Sequence, residues 1–499
     1  MTEINSLLTG FQTAFSAYHL ALMAGGVLLG ILVGVLPGLG APNGVTLLLP
    51  LTFTMPPVAA IILLSSMYWG ALFGGSTTSI LFNIPGEPSS VATTFDGHPM
   101  ARHGDAAKAL ATAFLSAGFG ALVGVIVVTL IANLIADFAL RFSPPEFFAV
   151  YLLTFCSYVS MSGGQPLKTL ATLLIGLGLA AVGMDTVSGE MRLTFGAEPL
   201  VSGISFLAAV IGLYGIGELL VTVEEGLKFD GLQARMSWRV VWTTFREMPR
   251  HAVTLVRSTV IGCWMGITPG GPTAASFMSY GIAKRFSRRK AYFGKGEPEG
   301  VVAPEAADHA AGVSALLPML ALGVPGSATA AVMMGGLMIW GLQPGPMLFV
   351  EHHDFVWGLI ASMYMANVVA VVLVLATIPL FSSILRAPFS IIGPLIIVVC
   401  LIGAYTISGK MFDVYLALGF GIVGYVFKKL DYPIAPLVLA MVLGDKSEDA
   451  FRQAMLLSDG SLSIFFANGL VGTIMSAALL LLGWALVSKL QILRAPKGA

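Results

Sequence analysis

Two short segments rich in proline and glycine interrupt uncharged stretches of this chain. They read GVLPGLG at residues 34–40 and GITPGGP at residues 266–272. Proline removes a backbone donor and glycine loosens the turn, so each segment is predicted to break a helix. The free N–H groups of a broken helix attract anions, and its free carbonyl oxygens can hold a cation. Both segments are therefore candidate binding loops.

Small hydroxyl and amide side chains gather around both breaks and around two further Pro-Gly pairs downstream. They could bind a ligand together with the backbone, or they could let membrane helices pack closely. We favour binding for the clusters, with Na⁺ at the Gly38 and Gly270 loops as a further expectation. No metal site built from side chains is expected. The candidate substrate-binding residues are Pro37, Gly38, Gly40, Asn43, Thr46, Ser76, Thr77, Thr78, Ser79, Asn83, Pro269, Gly270, Gly271, Thr273, Ser276, Pro325, Gly326, Ser327 and Thr329.

Ionisable residues are scarce inside the apolar segments. The segment APEAADHAAG (303–312) carries Glu305, Asp308 and His309. Glu305 and His309 are four residues apart and share a helix face. A capped, solvated helix start fits this pattern, and so does a gate or an ion site. Glu218 follows a long apolar run and is interpreted as an interfacial helix end, with proton carriage as the alternative.

The elements that must position these residues are membrane helices. Of the 499 residues, 56% are hydrophobic and 10% are charged, with a mean hydropathy of +0.88, whereas a soluble domain is about 25% charged. Uncharged windows such as 258–283 and 355–385 exceed the ~20 residues that a spanning helix needs. We expect an all-α polytopic membrane protein of roughly 12 transmembrane segments, because the alternation typical of a barrel is absent.

The distribution of positive charge predicts how the chain crosses the membrane. Residues 224–257 and 284–308 each carry six lysines and arginines, and the positive-inside bias places both on the cytoplasmic side. A single crossing by residues 258–283 would separate them, so a re-entrant hairpin broken at GITPGGP is favoured over one kinked span. The predicted organisation is an N-terminal membrane repeat (1–223), a basic cytoplasmic connector (224–257) and a C-terminal membrane repeat (258–499).

The two halves carry matching motifs in the same order. GVLPGLG pairs with GITPGGP, and FNIPGEPSSVATT (82–94) echoes ALGVPGSATAAVM (321–333). Pro37 and Pro269 are 232 residues apart, and Pro85 and Pro325 are 240 apart. This spacing indicates an internal duplication. With a non-basic N-terminus outside and the second hairpin entering from the cytoplasm, the halves are predicted to be inverted repeats, with re-entrant or broken helices at the binding site.

At these motifs the chain resembles the large membrane subunit of the tripartite tricarboxylate transporters, the TctA family. The resemblance covers nearly the whole chain. It is carried by GVLPGLG, by YWGALFGGSTTSILFNIPGEPSSVATTFDGHPMARHG (68–104), by the basic KRFSRRK segment with the following GKGEPEGVVAPEAADHAAG, and by LGVPGSATAAVMMGGLMIWGLQPGP (322–346). Together these motifs are far more specific than a single PGxG would be.

The resemblance implies a multi-pass permease of the bacterial inner membrane that imports a tricarboxylate or related carboxylate. It implies two partners, a small membrane subunit and a periplasmic solute-binding protein. It also implies that a gradient of a coupling ion, Na⁺ or H⁺, drives transport, with no cofactor. No HExxH, GxSxG or GxxxxGK[ST] motif is present, so an enzyme is not expected. A passive carboxylate channel and an intramembrane enzyme are the alternatives.

Overall fold

The computed structural model describes residues 3–36, 39–161, 165–185, 188–225, 236–268, 270–384 and 389–494. Within these ranges the chain is helical, apart from turns and a two-residue antiparallel hairpin of β1 (Gly183–Met184) and β2 (Met191–Arg192). The all-α class is therefore confirmed.

Ten helices make up the first half. They are α1 (Glu3–Ala14), α2 (Ala17–Val35), α3 (Gly40–Leu48), α4 (Pro57–Phe82), α5 (Val91–Met100), α6 (Ala106–Ala139), α7 (Pro144–Ser160), α8 (Pro166–Ala180), α9 (Phe206–Val210) and α10 (Gly217–Glu225). A π-helical turn, Ile211–Ile216, joins α9 to α10 into one continuous rod.

The second half continues in the same way. Its helices are α11 (Trp238–Glu247), α12 (Ala252–Gly266), α13 (Gly271–Phe286), α14 (Glu299–Ser314), α15 (Leu316–Leu322), α16 (Ala328–Ile339), α17 (Met347–Glu351), α18 (His353–Ile384), α19 (Phe389–Ser408), α20 (Met411–Lys429), α21 (Ile434–Leu457) and α22 (Gly469–Arg494).

Seven helices of the described residues are long and apolar enough to cross a membrane. They cover residues 17–35, 57–82, 88–139, 206–224, 353–377, 411–429 and 469–487. Three further apolar helices are shorter, including α8 and α16. The chain is thus a multi-pass membrane protein. Its long spans are fewer than the expected 12, because broken pairs such as α12 and α13 divide an apolar stretch into halves of 15 and 16 residues.

Glycine brings the central helices into backbone contact. A methyl group at Gly30 of α2 would lie 2.1 Å from the Met67 carbonyl oxygen of α4, so only glycine fits there. In the second half, a methyl group at Gly262 of α12 would lie 2.3 Å from the Ala307 carbonyl oxygen of α14. Such close crossings are typical of membrane helices, where small residues let van der Waals packing hold the helices together.

Corresponding helices of the two halves pack in corresponding ways. Helix α2 packs along α4 as α12 packs along α14, and each hairpin closes on itself, α2 with α3 and α12 with α13. Contacts between the halves are reciprocal: α14 lies on α6 while α4 lies on α18, and α11 lies on α6 while α1 lies on α18. The buried core therefore runs across both halves.

Candidate functional site

The first break lies between α2 and α3. Helix α2 ends at Val35, and α3 begins at Gly40, whose φ of +58° lies in the left-handed region that favours glycine. Pro37 and Gly38, which carry the predicted break, lie outside the described residues. Since α2 and α3 pack against each other, the chain turns back here as the sequence predicts.

The second break has the same form. Helix α12 ends at Gly266, and Gly270 precedes α13 with φ +77°. The Gly271 N–H donates to the Thr268 carbonyl oxygen at 3.0 Å, which closes the turn. Pro269 lies outside the described residues, so both proline members of the two breaks remain predictions.

The downstream Pro-Gly pairs also follow equivalent helix ends. Helix α4 ends on left-handed Asn83 (φ 59°), and α15 ends on left-handed Gly323 (φ 66°). In each half the next backbone N–H donates to the carbonyl oxygen six residues earlier, from Ile84 to Thr78 at 3.4 Å and from Val324 to Pro318 at 3.1 Å. The two turns are thus alike in backbone geometry.

Each downstream turn packs against its own break. A methyl group at Gly86 would lie 2.5 Å from the Gly34 carbonyl oxygen, and one at Gly326 would lie 2.6 Å from the Gly266 carbonyl oxygen. The Gly326 carbonyl oxygen also accepts a hydrogen bond from the Gly270 N–H at 3.0 Å. Glycine at these two positions therefore lets break and turn meet.

A cavity of about 380 Å³ lies where the two breaks and the two turns converge. Its volume is in the range of small-molecule sites. Its wall comes from both halves of the chain, and in the second half it includes the end of α20. The structure brings six of the predicted site residues to this wall: Gly40, Asn43, Gly270, Thr273, Ser327 and Thr329.

The remaining described candidates lie outside the cavity wall. Several hydroxyls bond back to their own helix, such as Thr46 to Pro42 at 2.7 Å and Thr77 to Phe73 at 3.0 Å. Asn83 is an exposed helix cap. The candidates away from the wall are Thr46, Ser76, Thr77, Thr78, Ser79, Asn83, Gly271, Ser276, Pro325 and Gly326. Gly326 and Pro325 shape the turn, so their role is in positioning Ser327.

Ser76 belongs to a second, fully buried cluster. Its hydroxyl donates to Glu305 Oε2 at 2.8 Å, and the Thr93 hydroxyl donates to Oε1 at 2.6 Å. His309 Nδ1 lies 3.8 Å from Glu305 Oε2, and its ring lies 4.5 Å from that of Phe73. Glu305 and His309 are each 1% exposed, so the interpretation as a solvated helix start is wrong. Helix α14 is instead enclosed by its neighbours.

Asp308 extends this cluster toward the cavity. It is 2% exposed, and its carboxylate lies beside Ser89, which lines the cavity together with Glu87. The buried carboxylates of Glu305 and Asp308 and the half-buried carboxylate of Glu87 therefore form a chain that ends at the cavity wall. No group of three His, Cys, Asp or Glu side chains in the described ranges has the geometry of a metal site.

Tyrosines line the cavity although the sequence analysis did not select them. Tyr68 lies beside Ser327, and Tyr158 lies beside Gly270. The hydroxyl of Tyr214 is buried without a hydrogen-bond partner among the described residues, and Tyr432 completes the set. Aromatic residues in apolar spans resemble ordinary core residues in a sequence, so no local signal marks them as site residues.

Three charged side chains reach the cavity. The Ala41 N–H at the start of α3 donates to Glu87 Oε1, so a carboxylate of the chain itself already holds one donor of the first broken helix. Glu218 pairs with Lys428. Glu218 is 5% exposed within the span 206–224, which differs from the expected interfacial helix end. Among the described residues that line this cavity, Lys428 is the only lysine or arginine.

A larger cavity of about 550 Å³ lies elsewhere, between the β1–β2 hairpin and α21. Arg452 forms two hydrogen bonds with Asp185, at 3.1 and 2.9 Å, and Arg192 donates to Glu448 at 2.7 Å. The bond to Glu448 raises the pKa of the Arg192 guanidinium. These cations are already paired, and none of the four helix ends at the breaks contributes to the wall. The smaller cavity is therefore the better candidate site.

Asp96 of the first half accepts hydrogen bonds from four residues of the second half. Its Oδ1 accepts the N–H groups of Gly294, Gly296 and Glu297 at 2.8, 2.9 and 2.8 Å, and Tyr280 donates to Oδ2 at 2.9 Å. Asp96 is completely buried. This carboxylate holds the loop before α14 in place, and with it the start of the helix that carries Glu305 and Asp308.

Comparison with known proteins bears on these features. The family described as "Tripartite tricarboxylate transporter TctA family" matches residues 20–439. A protein of Agrobacterium vitis, "Uncharacterized 52.8 kDa protein in TAR-I ttuC' 3'region", is 37% identical over 96% of this chain and 95% of its own length. A second from the same organism, "Uncharacterized protein in TAR-II ttuC' 3'region", is 36% identical over 46% of this chain and 96% of its own length. No solved structure matches.

The family match spans both breaks, both downstream turns and most of the cavity wall, including Lys428 and Tyr432. It supports a transport role rather than an enzymatic one. This chain is a multi-pass membrane protein and a member of the tripartite tricarboxylate transporter TctA family.

Proposed function

We propose that this chain is the large permease subunit of a tripartite secondary transporter that imports a tricarboxylate or related carboxylate. The observation that carries the proposal is the cavity between the two broken helix pairs, lined by Ser, Thr, Asn and Tyr side chains and by one lysine. Hydroxyls, backbone N–H groups and a lysine are the donors that a carboxylate needs. A cavity at broken helices near the centre of a duplicated fold is typical of secondary transporters.

Inverted repeats of roughly 12 crossings remain our proposal for the architecture. Support comes from the equivalent helix ends at Asn83 and Gly323 and from the reciprocal packing of α4 on α18 and α14 on α6. In this arrangement the hairpin α2–α3 enters from outside and α12–α13 from the cytoplasm, with shorter helices completing the remaining crossings.

The domain boundaries at 223 and 257 stay a prediction. Helix α11 lies within the proposed connector, and it packs on α6 as α1 packs on α18. This correspondence would start the second repeat at about residue 238, within the connector. Residues 226–235 of the connector lie outside the described residues.

An ion gradient is proposed as the driving force, with Na⁺ or H⁺ as the coupling ion. The buried carboxylates of Glu305 and Asp308 and the half-buried carboxylate of Glu87 support this, because an uncompensated charge in a low-dielectric interior is costly and favours binding of a proton or cation. Na⁺ at the Gly38 and Gly270 loops is the alternative position, and Gly38 lies outside the described residues.

A periplasmic solute-binding protein and a small membrane subunit are the proposed partners, and the bacterial inner membrane is the proposed location. Support comes from the tripartite systems after which the family is named. The basic segments 236–257 and 284–295 support a cytoplasmic position for those loops by the positive-inside bias.

The test is uptake of radiolabelled citrate into proteoliposomes that contain this chain and its small membrane subunit. Purified binding protein is added outside, and a Na⁺ or proton gradient is imposed or collapsed. Uptake that needs the binding protein and one of the gradients supports the proposal and identifies the ion. Citrate flux that needs neither would instead establish a passive channel, and a panel of smaller carboxylates follows if citrate is not carried.

A further inference from the structure

The Glu218–Lys428 ion pair separates two cavities. Besides the cavity between the breaks, an outer cavity of about 640 Å³ is lined by Gln165, Lys429, Asp431 and Val221. Both cavities share the same four residues, Glu218, Lys428, Tyr432 and Pro433. The ion pair and its neighbours therefore form the common wall between the inner and outer spaces.

Burial makes this pair unusual for an ion pair that bridges two helices. The side chain of Glu218 is 6% exposed and lies within the apolar span 206–224, whose other charged residue, Glu224, is exposed at its end, while the side chain of Lys428 is 35% exposed. Removing two charges from water is costly, and a hydrophobic pair of similar volume would stabilise the same helix contact as well or better. Packing of α10 on α20 alone does not account for two charges at this position.

A neighbouring pair already bridges the same two helices. Lys429 Nζ lies 2.8 Å from Glu224 Oε2, with side chains 41% and 49% exposed. This outer pair links α20 to α10 at the surface, where an ion pair needs little desolvation. The Glu218–Lys428 pair, by contrast, places a cation on the wall of the candidate site, and no other lysine or arginine of the described part of the chain lines that wall.

We propose that Lys428 binds a carboxylate group of the transported anion, and that Glu218 holds this position when the anion is absent. The inference rests on the proposed function and deepens it. A substrate carboxylate is the same chemical group as the Glu218 side chain, so it can replace Glu218 on the Lys428 ammonium without leaving the cation unpaired. Glu218, once displaced, faces the outer cavity.

This exchange links binding to opening. When the substrate takes Lys428, the ion pair that forms the common wall is broken, and the inner cavity joins the outer one. When the substrate leaves, Glu218 returns and closes the wall. The transported anion thereby drives the opening of its own exit through its differential interaction with the two states.

The experiment measures citrate uptake against citrate concentration for Lys428→Gln, Glu218→Gln and the double variant. Lys108→Gln is the matched control, because it removes a lysine from a similarly exposed ion pair, with Glu247 at 2.8 Å, that lines neither cavity. We expect Lys428→Gln to raise the half-saturating concentration by roughly tenfold or more, as loss of a charge-assisted hydrogen bond predicts. Lys108→Gln should stay within about twofold of the wild type.

Glu218→Gln should change the half-saturating citrate concentration in the opposite direction. Removing the competing carboxylate should lower the half-saturating concentration by a few-fold and raise the leak of citrate without a gradient. The double variant buries neither charge, so it should fold even if Lys428→Gln alone fails to fold. Its half-saturating concentration should be raised as much as that of Lys428→Gln.

Three outcomes overturn parts of the reasoning in different ways. If Lys428→Gln or the double variant matches Lys108→Gln in half-saturation, the inference is wrong while the proposed function stands. If Glu218→Gln binds citrate more weakly than the wild type, Glu218 does not compete with the substrate. If the wild type carries neither citrate nor any smaller carboxylate, the proposed function fails and this inference fails with it.

Discussion

Substitution by alanine should impair transport at Gly270 but folding at the adjacent Gly271. Gly270 lines the cavity, and a methyl group there would have only Met161 Cε as a neighbour, at 4.0 Å. The change Gly270→Ala therefore meets no clash. Its cost is backbone strain at φ +77°, about 1–2 kcal/mol for an L-residue in the left-handed region.

At Gly271 there is no space for the methyl group of an alanine. A methyl group would lie 1.9 Å from the Met265 carbonyl oxygen and 2.6 Å from its carbonyl carbon. The obstacle is backbone, so no side-chain rotation relieves it, and α12 and α13 would have to separate. Overpacking typically costs about 1–3 kcal/mol, and a rigid contact this short should reach or exceed the upper end for Gly271→Ala.

The assay combines thermal unfolding in detergent with citrate uptake in proteoliposomes. Gly270→Ala should be recovered as folded protein with uptake reduced by about tenfold, equivalent to about 1.4 kcal/mol, because the methyl group keeps the anion from the backbone. Gly271→Ala should be recovered poorly. Gly281→Ala on the same helix, with no atom within 4 Å, is the control and should gain about 0.5–1 kcal/mol of stability.

One result would refute this reasoning directly. If Gly270→Ala folds and its uptake equals that of Gly281→Ala, the second break does not approach the substrate. A normal yield and stability of Gly271→Ala would show that α12 and α13 do not meet as closely as 1.9 Å implies.

Further predictions concern residues that hold the halves together. Asp96→Ala removes the acceptor of four hydrogen bonds and should lower stability by about 3 kcal/mol or more, while Asp96→Asn should lose less; equal melting temperatures for both would contradict this. Gly86→Ala and Gly326→Ala meet equivalent carbonyl oxygens and should reduce folded yield alike, and a tolerant Gly326 would argue against matched turns. Asp185→Asn leaves Arg452 with weaker partners and should lower stability near the β1–β2 hairpin, measured by hydrogen exchange, without changing citrate half-saturation.

Local chemistry made the breaks predictable from the sequence. Proline and glycine act on their own backbone, so the turns after Gly34 and Gly266 and the motif pairing could be read without the fold. Gly86 and Gly326 belong to the same motifs, but their close approach to the Gly34 and Gly266 carbonyl oxygens was not predicted, and Gly326 was expected to bind substrate instead. The all-α membrane class followed from composition, because so few charges cannot cover a soluble surface.

The cavity wall was only partly predictable because it depends on how each helix is rotated. Thr77 and Thr329 are both small hydroxyl residues near a Pro-Gly pair, yet Thr77 bonds to its own helix while Thr329 lines the cavity. Glu218 was expected at an interface because a charge usually ends an apolar run. Its partner, Lys428, comes from a helix some 200 residues away, and only tertiary packing shows that the pair is internal.

The two breaks have similar backbone geometry, but only the first has a carboxylate beside it. This difference in charge bears on how transport is coupled to an ion. Glu87 and Ser327 occupy equivalent positions after the downstream Pro-Gly pairs, and both line the cavity. Glu87 already accepts the Ala41 N–H at the start of α3, so an incoming anion must find its donors mainly at the second break and at Lys428. Within the described wall, the cavity thus presents two carboxylates, Glu87 and Glu218, against one lysine.

An anion entering such a cavity adds negative charge beside the half-buried carboxylate of Glu87, and like charges repel strongly where water is partly excluded. Binding therefore requires an additional positive charge near Glu87, which a proton or Na⁺ supplies, and this requirement is the physical origin that we propose for coupling. Glu87→Gln removes the repulsion and keeps the acceptor for the Ala41 N–H. Citrate uptake by this variant should proceed downhill without the gradient and should no longer depend on the coupling ion. The control Glu299→Gln, on the first turn of α14, should still need both the gradient and the coupling ion. An unchanged ion dependence in Glu87→Gln would place the coupling charge elsewhere, with Glu305 and Asp308 as the next carboxylates to replace.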